Sequence, residues 1–303
     1  MAELVDALLR VNLVAGLAIL AVLAARLPAR WRFGPEIAYR LWAAPPLAAA
    51  ATLLPLKVAK SPIHTLSHLT PAHLSPALLI LWAVGFAVAA GLMWRAQASF
   101  LANARQGRAG PAVVGVIAPR VVMPTDDGRY TADERALIRA HEREHIERKD
   151  PRAGALIALF QCLAWFNPLV HLAAHVARLD QELACDAAVL RRHPKSRALY
   201  ARTLLKTQLA TATLPLGCYW PPRSRHPLEV RVALLGRSRR DDGLEGPLIV
   251  GAGVVSAALV AWSVQPPLPL RPQAPPIVAE EEHQGGQMSV LLVTWRVPAT
   301  SSR

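Results

Sequence analysis

Two histidines separated by one helical turn, with a glutamate directly after the first, form the segment of this chain best suited to chemistry. The segment reads His141-Glu142-Arg143-Glu144-His145. In a helix, this spacing places both imidazoles on one face, where they can bind one Zn²⁺ at about 2.0–2.1 Å. Glu142 projects beside the metal position, so it can accept a proton from an attacking water and pass it to a leaving amine. The H-E-x-x-H pattern indicates a zinc metalloprotease, although a solvated charged helix can also carry it by chance.

A third metal ligand is predicted further along the chain, in the segment QELACD that begins at Gln181. A catalytic zinc site keeps three protein ligands and an open position, and two histidines with one glutamate form a standard set. Glu182 and Asp186 are four residues apart on a predicted helix and therefore share a face. We predict that Glu182 binds the metal and that Asp186 accepts the free ring N–H of a ligand histidine. The alternative is an acidic, solvated helix face, which Asp180 would extend.

Helix signals surround the histidine motif. Thr131 and Glu134 form a capping-box pattern that opens a helix over residues 132–149, and Asp150-Pro151 marks its end or a kink. The histidines therefore lie well inside a helix. The neighbouring predicted elements are two short β-prone stretches within 113–123 and a helix over 178–193.

The uncharged stretch 153–177 must return to the side of the membrane that it leaves. If it crossed the bilayer once, Glu182 would lie on the opposite side from His141 and could not reach the metal. We therefore expect a broken hairpin or a half-buried helix pair, with the break at Asn167-Pro168. Irregular backbone at membrane depth is tolerated only where protein buries it.

The composition predicts lipid-facing surface. The 303-residue chain is 53% hydrophobic and only 18% charged, against roughly 25% charged residues in soluble domains. A spanning helix needs about 20 apolar residues, and four uncharged segments are candidates: Val11–Ala25, Leu41–Leu56, Ala77–Trp94 and Leu248–Val264. The second segment contains Pro45, Pro46 and Pro55, so we expect it to be kinked or irregular.

Basic residues set the expected orientation. Arginines follow the first and third apolar segments, whereas the loop between the second and third holds only Lys57 and Lys60. This places the N-terminus outside and residues 95–245 inside. The net charge of +13 favours anionic lipid as a partner, because basic clusters adjoin apolar runs and no nucleic-acid-binding motif stands near them.

The cysteines do not predict a metal site. Cys162, Cys185 and Cys218 are odd in number and form no C-x-x-C pair. This argues against both a disulfide framework and a cysteine-based zinc site. We expect buried or idle thiols.

Three segments together resemble the BlaR/MecR-type family of membrane metallopeptidases. They are HEREHIERKD (141–150), WFNPLVHLAAHVARLDQELACDAAVL (165–190) and RVALL (231–235), and the likeness covers roughly residues 1–265. The resemblance implies a zinc-dependent gluzincin that faces the cytoplasm, cleaves itself and inactivates a paired DNA-binding repressor. Carried over to this chain, it makes His141, His145 and Glu182 the zinc ligands and Glu142 the catalytic base.

The expected protein is mainly α-helical, multi-pass, and located in a bacterial inner membrane. Its predicted parts are a membrane domain at 1–99, a cytoplasmic metalloprotease domain at 100–245, a fourth transmembrane helix at 246–265 and an extracytoplasmic tail at 266–303. β-Lactam-sensing members of the family carry a Ser-x-x-Lys nucleophile in a penicillin-binding domain. No serine here is followed three residues later by lysine, so we expect no acylation of this chain by β-lactams.

Two other functions remain open at this stage. The chain could be a non-catalytic membrane receptor or scaffold with a structural metal site, or a quality-control protease acting on membrane proteins. The sequence also leaves open the substrate, the activating signal, the group that stabilises the oxyanion and the oligomeric state.

Overall fold

The computed structural model describes residues 2–54, 75–107, 111–125, 128–210, 227–235 and 245–263. These residues form a mainly helical protein, as predicted. The helices are α1 (Ala2–Phe33), α2 (Pro35–Arg40), α3 (Ala44–Ala51), α4 (Ser75–Arg105), α5 (Ala132–Glu147), α6 (Asp150–Leu163), α7 (Pro168–Arg192), α8 (Arg197–Ala210), α9 (Pro227–Leu235) and α10 (Glu245–Ser263). Two short strands, β1 (Ala112–Val114) and β2 (Arg120–Val122), pair antiparallel. The predicted tail at 266–303 and Cys218 lie outside the described residues.

Three of the described helices are long and apolar enough to cross a membrane: Leu4–Phe33, Pro76–Arg105 and Glu245–Ser263. The second predicted segment is not among them. A short 3-10 turn at Leu41–Ala43 separates α2 from α3, and Pro45 stands at the start of α3. This irregularity follows the prolines, as predicted. A transmembrane helix at the second segment, Leu41–Leu56, therefore remains a prediction, whereas the fourth predicted segment coincides with α10.

Alanines pack α3 against the two long apolar helices α1 and α10. Ala48 and Ala51 form a buried cluster with Ala261 of α10, against Val14 and Ala18 of α1. Small side chains allow helix backbones to approach closely in a lipid environment, where the hydrophobic effect does not drive helices together. The broken segment therefore packs between two longer helices.

Gly34 turns the chain from α1 into α2. Its φ angle is 91°, in the left-handed region that glycine adopts without the steric cost of a Cβ atom. Because of this turn, α2 packs against both α1 and α7. The Glu36–Arg191 ion pair, with Oε1 and Nη1 2.6 Å apart, joins α2 to the last turn of α7.

The capping box at the start of α5 is present as predicted. The Glu134 backbone N–H donates to Thr131 Oγ1 at 3.2 Å, and the Thr131 N–H donates to Glu134 Oε2 at 2.8 Å. At the other end, Lys149 adopts a left-handed conformation with φ 62°, and α6 begins at Asp150. The predicted break at Asp150-Pro151 is thus a turn between two helices.

Helices α6 and α7 form the predicted hairpin. Asn167 caps α7 by accepting a hydrogen bond from the Leu169 N–H at 3.0 Å, and Pro168 is the first helical residue. Trp82 of α4 donates to the Leu163 carbonyl at 2.8 Å, which ties a membrane helix to this turn. The hairpin returns α7 to α5, with which it packs.

Asp180 is not part of a solvated acidic face. Its carboxylate is 1% exposed. It accepts from Arg26 of α1 at 3.1 Å and from the Trp42 indole N–H at 2.9 Å. Because a buried charge needs such partners, Asp180 is an anchor between α7 and the first membrane helix.

Candidate metal centre

Helix α5 and helix α7 bring three predicted ligands to one point. The Nε2 atoms of His141 and His145 are 3.2 Å apart. Glu182 Oε2 lies 3.4 Å from His141 Nε2, and Glu182 Oε1 lies 3.5 Å from His145 Nε2. A tetrahedral zinc site with bonds of about 2.0–2.1 Å has ligand atoms about 3.3 Å apart. This donor set therefore fits a zinc ion.

The hydrogen bonds at the far side of each imidazole fix its tautomer. His145 Nδ1 lies 2.7 Å from Asp150 Oδ2, and an ionised carboxylate can only accept, so Nδ1 carries the hydrogen. The Tyr200 hydroxyl donates to Asp186 Oδ1 at 2.6 Å, which leaves its oxygen to accept from His141 Nδ1–H at 2.8 Å. In the neutral form of each ring, Nε2 then carries the lone pair, and a cation bound between the two Nε2 atoms would take the place of the protons there.

Asp150 supports His145 directly, a role that was not predicted from the sequence. The left-handed turn at Lys149 brings the start of α6 back beside the last turn of α5. Asp150 is 2% exposed, and it also accepts from the Tyr39 hydroxyl at 3.1 Å. A carboxylate on the second nitrogen of a ligand histidine orients the ring and raises its basicity. The Asp150-Pro151 break predicted from the sequence could have indicated that the chain turns back toward the histidines at this point.

Asp186 reaches His141 through Tyr200. Its Oδ1 lies 3.5 Å from His141 Nδ1, whereas the Tyr200 oxygen lies at 2.8 Å and is bonded to both. Arg231 of α9 holds Asp186 with two bonds of 2.8 Å. The predicted pairing of Asp186 with a ligand histidine is therefore indirect, because the tyrosine hydroxyl occupies the space between them.

Arg231 also contacts the third predicted ligand. Its Nη1 lies 3.0 Å from Glu182 Oε2. Partial burial raises the pKa of the Glu182 carboxyl, but Arg231 and the two imidazoles outweigh this and hold it below its usual range. Glu182 is therefore ionised and can act as a ligand at neutral pH.

The two imidazoles sit in a negative environment. Burial lowers the pKa of His141, but Cys185 and Glu182 outweigh it and raise the pKa to about 10. Burial likewise opposes protonation of His145, and Glu182 with Asp150 raises its pKa well above the usual value. A site that raises the pKa of its imidazoles in this way also attracts a divalent cation, which can replace the protons.

Glu142 is buried beside these groups, with 7% of its surface exposed. Burial raises the pKa of its carboxyl, and the neighbouring His141 and His145 oppose this shift. A carboxylate with a raised pKa is a better proton acceptor than one in water. Glu142 therefore has the environment expected of a general base.

Cys185 provides a second possible donor set with the two histidines. Its sulfur, His141 and His145 have donor atoms within 4.8 Å of one another. However, Cys185 Sγ lies 3.4 Å from His141 Nδ1 and donates to the His141 carbonyl at 3.4 Å. The His141 nitrogen at 3.4 Å from this sulfur is Nδ1, which already bonds Tyr200, whereas the glutamate set uses the two Nε2 atoms. The glutamate set therefore fits better. Cys185 is a buried thiol, as expected, but its position beside the two histidines was not predicted from the sequence.

Comparison with known proteins gives a consistent result. Residues 105–235 match the sequence model of the family described as BlaR1 peptidase M56. The regulatory protein BlaR1 of Bacillus licheniformis is 36% identical over 97 residues, which are 32% of this chain and 16% of that protein. The methicillin resistance mecR1 protein of Staphylococcus aureus is 30% identical over 103 residues, which are 33% of this chain and 17% of that protein.

The aligned part is thus about a sixth of the length of each of these relatives. No solved structure matches the chain. The matched region runs from the end of α4 to the end of α9 and includes all the side chains of the metal centre except Tyr39. Residues 105–235 are therefore similar to peptidases of the BlaR1-type M56 family. They belong to a mainly helical protein whose described part includes helices of membrane-spanning length.

Proposed function

We propose that this chain is an integral membrane zinc endopeptidase of the gluzincin type. The observation that carries the proposal is the convergence of His141 Nε2, His145 Nε2 and a Glu182 carboxylate within 3.2–3.5 Å of one another. His141, His145 and Glu182 are the proposed zinc ligands, and Glu142 is the proposed catalytic base. Zinc, when bound, would acidify a water molecule and polarise the peptide carbonyl group.

The remaining side chains transfer the proton and orient the proposed ligands. Glu142 accepts a proton from the attacking water and later gives it to the leaving nitrogen, which its raised pKa favours. Asp150 keeps the lone pair of His145 Nε2 directed at the metal by holding the hydrogen on Nδ1. Tyr200 does the same for His141, and Arg231 holds both Glu182 and Asp186 in place.

The proposed substrate is a protein. The relatives' names, regulatory protein and methicillin resistance protein, support a role in signal transduction. We propose that the enzyme cleaves itself, a cytoplasmic DNA-binding repressor, or both.

The proposed topology places the peptidase domain in the cytoplasm of a bacterium and the C-terminal tail outside. The distribution of basic residues in the loops supports this orientation. A reporter enzyme fused after Arg303 should score as external, and the same reporter inserted within 100–110 should score as cytoplasmic. If both reporters score on one side of the membrane, the four-helix arrangement is wrong.

The function is tested with Glu142→Gln. This change keeps the shape of the side chain but removes the proton acceptor. The full-length variant, purified in detergent, should retain about one zinc per chain. Cleavage of fluorescent casein, or self-cleavage on a gel, should fall by at least about 100-fold.

The matched control is Glu147→Gln, the same change on the exposed end of the same helix, where Glu147 pairs with Arg192. It should retain both zinc and activity. Wild-type turnover by Glu142→Gln would refute the proposed base. A zinc-loaded wild type that cleaves neither casein nor itself would favour the non-catalytic receptor.

A further inference from the structure

We propose that Tyr39, on the short helix α2, is a positioning residue for the metal centre and acts through Asp150 on His145. This inference rests on the proposed zinc site. It adds a residue outside the matched peptidase region, on the segment that leaves the first membrane helix.

The two carboxylate oxygens of Asp150 accept hydrogen bonds from different residues. Oδ1 accepts from the Tyr39 hydroxyl at 3.1 Å, and Oδ2 accepts from His145 Nδ1–H at 2.7 Å. A carboxylate with a bond at only one oxygen can rotate about its own axis. The Tyr39 bond therefore fixes the plane of the carboxylate, and this plane sets the direction from which Oδ2 meets the imidazole.

Arg148 completes the arrangement around the tyrosine. Its guanidinium lies 5.0 Å from the centre of the Tyr39 ring, and its Nε lies 3.4 Å from Asp150 Oδ2. The ring is thus held by a cation–π contact that does not involve the hydroxyl. Removing the hydroxyl alone should leave the packing of α2 intact, so packing and positioning can be separated by experiment.

Tyr39 links the metal centre to the helix that follows α1. Helix α2 follows α1 after the turn at Gly34 and packs on α7, the helix that carries Glu182. A shift of α2 relative to the turn between α5 and α6 would therefore change the support of His145 without touching the metal ligands themselves. The metal centre has one of its supports on the membrane-proximal part of the chain.

The test compares zinc affinities of full-length protein in detergent by competition with a graded chelator. Loss of a direct partner of a ligand histidine typically weakens binding by roughly 10–100-fold. Tyr39 acts one bond further away, so Tyr39→Phe should weaken zinc binding by about 3–10-fold. The zinc-free variant should unfold only a few degrees below the zinc-free wild type, roughly the effect of one lost hydrogen bond, because the ring and its contact with Arg148 remain.

Tyr130→Phe is the matched control. Tyr130 is also buried, at 6% exposure, and its ring also lies under a cation, Lys206 Nζ at 5.5 Å. It lies at the opposite end of α5 from Asp150. The same chemical change there should leave zinc affinity within about twofold of wild type.

A double-mutant cycle distinguishes positioning from a general structural effect. If Tyr39 acts through Asp150, Tyr39→Phe should have little further effect on zinc affinity in an Asp150→Asn background. Unchanged affinity in the single variant, or an undiminished effect in the double variant, would overturn the proposal. In either case the proposed zinc site would survive, provided that wild type binds zinc and His145→Ala does not. A wild type that binds no zinc would refute both.

Discussion

The two histidines proposed as zinc ligands lie one helical turn apart, yet the protein supports them by different means. On the His145 side, a carboxylate five residues away binds the ring nitrogen directly, because the chain turns back at Lys149. On the His141 side, the Tyr200 hydroxyl bonds the ring, Asp186 accepts a hydrogen bond from that hydroxyl, and Arg231 donates to Asp186. The first support is short and local, and the second is a relay built from three separate helices.

This difference predicts which property each side controls, metal affinity or folding stability. A direct carboxylate controls the orientation and basicity of its histidine, so its loss should be felt mainly in metal affinity. The relay contains a buried ion pair, with Arg231 at 5% and Asp186 at 2% exposure. Disturbing a buried ion pair leaves a charge uncompensated, so its loss should be felt mainly in folding stability.

The largest effect is expected where the two sides meet, at Glu182. Its carboxylate faces both Nε2 atoms. Glu182→Ala leaves two ligands and should lower zinc affinity by on the order of 100-fold or more. Chelator competition measures this, with Cys185→Ala as the control. A larger loss of zinc in Cys185→Ala would show that the cysteine, and not the glutamate, is the third ligand.

The next prediction separates the two sides. Asp150→Asn should weaken zinc binding by roughly 10–100-fold, because the direct partner of His145 loses its charge. Asp186→Asn should weaken it less, but should lower the free energy of unfolding by about 2–3 kcal/mol. This lies below the about 3–5 kcal/mol typical of a broken buried pair, because Glu182 still pairs with Arg231.

Zinc competition and denaturant unfolding of the zinc-free proteins measure the two quantities. Each variant is the control for the other, since both replace a buried aspartate by asparagine. The comparison is wrong if Asp186→Asn loses more zinc than Asp150→Asn.

The smallest effect is expected at the start of α5, away from both supports. Thr131→Ala removes the capping box that begins the helix and should lower the free energy of unfolding by about 1 kcal/mol. Zinc affinity of the folded protein should stay within about twofold of wild type. A tenfold loss of zinc affinity would mean that stability of α5 alone, and not the two supports, controls the metal centre.

Local patterns predicted the elements that carry the site. The capping box, the break at Asp150-Pro151 and the return of the chain at Asn167-Pro168 are all present in the structure. Each depends on backbone conformations and hydrogen bonds within a few residues, so the residue types alone are informative. For the second apolar segment, the prolines predicted an irregular helix, and the structure has a 3-10 turn followed by the eight residues of α3.

Periodicity also predicted that Glu182 and Asp186 share a face, but it could not give each acid its partner. Periodicity alone left Asp180 as a candidate for a solvated helix face. In the structure, packing against α1 buries this side chain, and its carboxylate accepts hydrogen bonds from Arg26 and Trp42. Whether an acid on a helix is solvated depends on what packs against it, and a single sequence does not contain that information.

The sequence by itself determined the arrangement of the proposed metal ligands: two imidazoles and a neighbouring glutamate on one helix, with a further acid pair at the same spacing on another helix. Helical geometry repeats every 3.6 residues, so these relations are fixed once the helix forms. Only the tertiary structure decided which groups support the site. Tyr39 meets Asp150 across 111 positions, and Tyr200 meets His141 across 59. Such contacts depend on how separate helices pack, because hydrophobic burial that drives the packing is non-directional and carries no local signal for a particular polar partner.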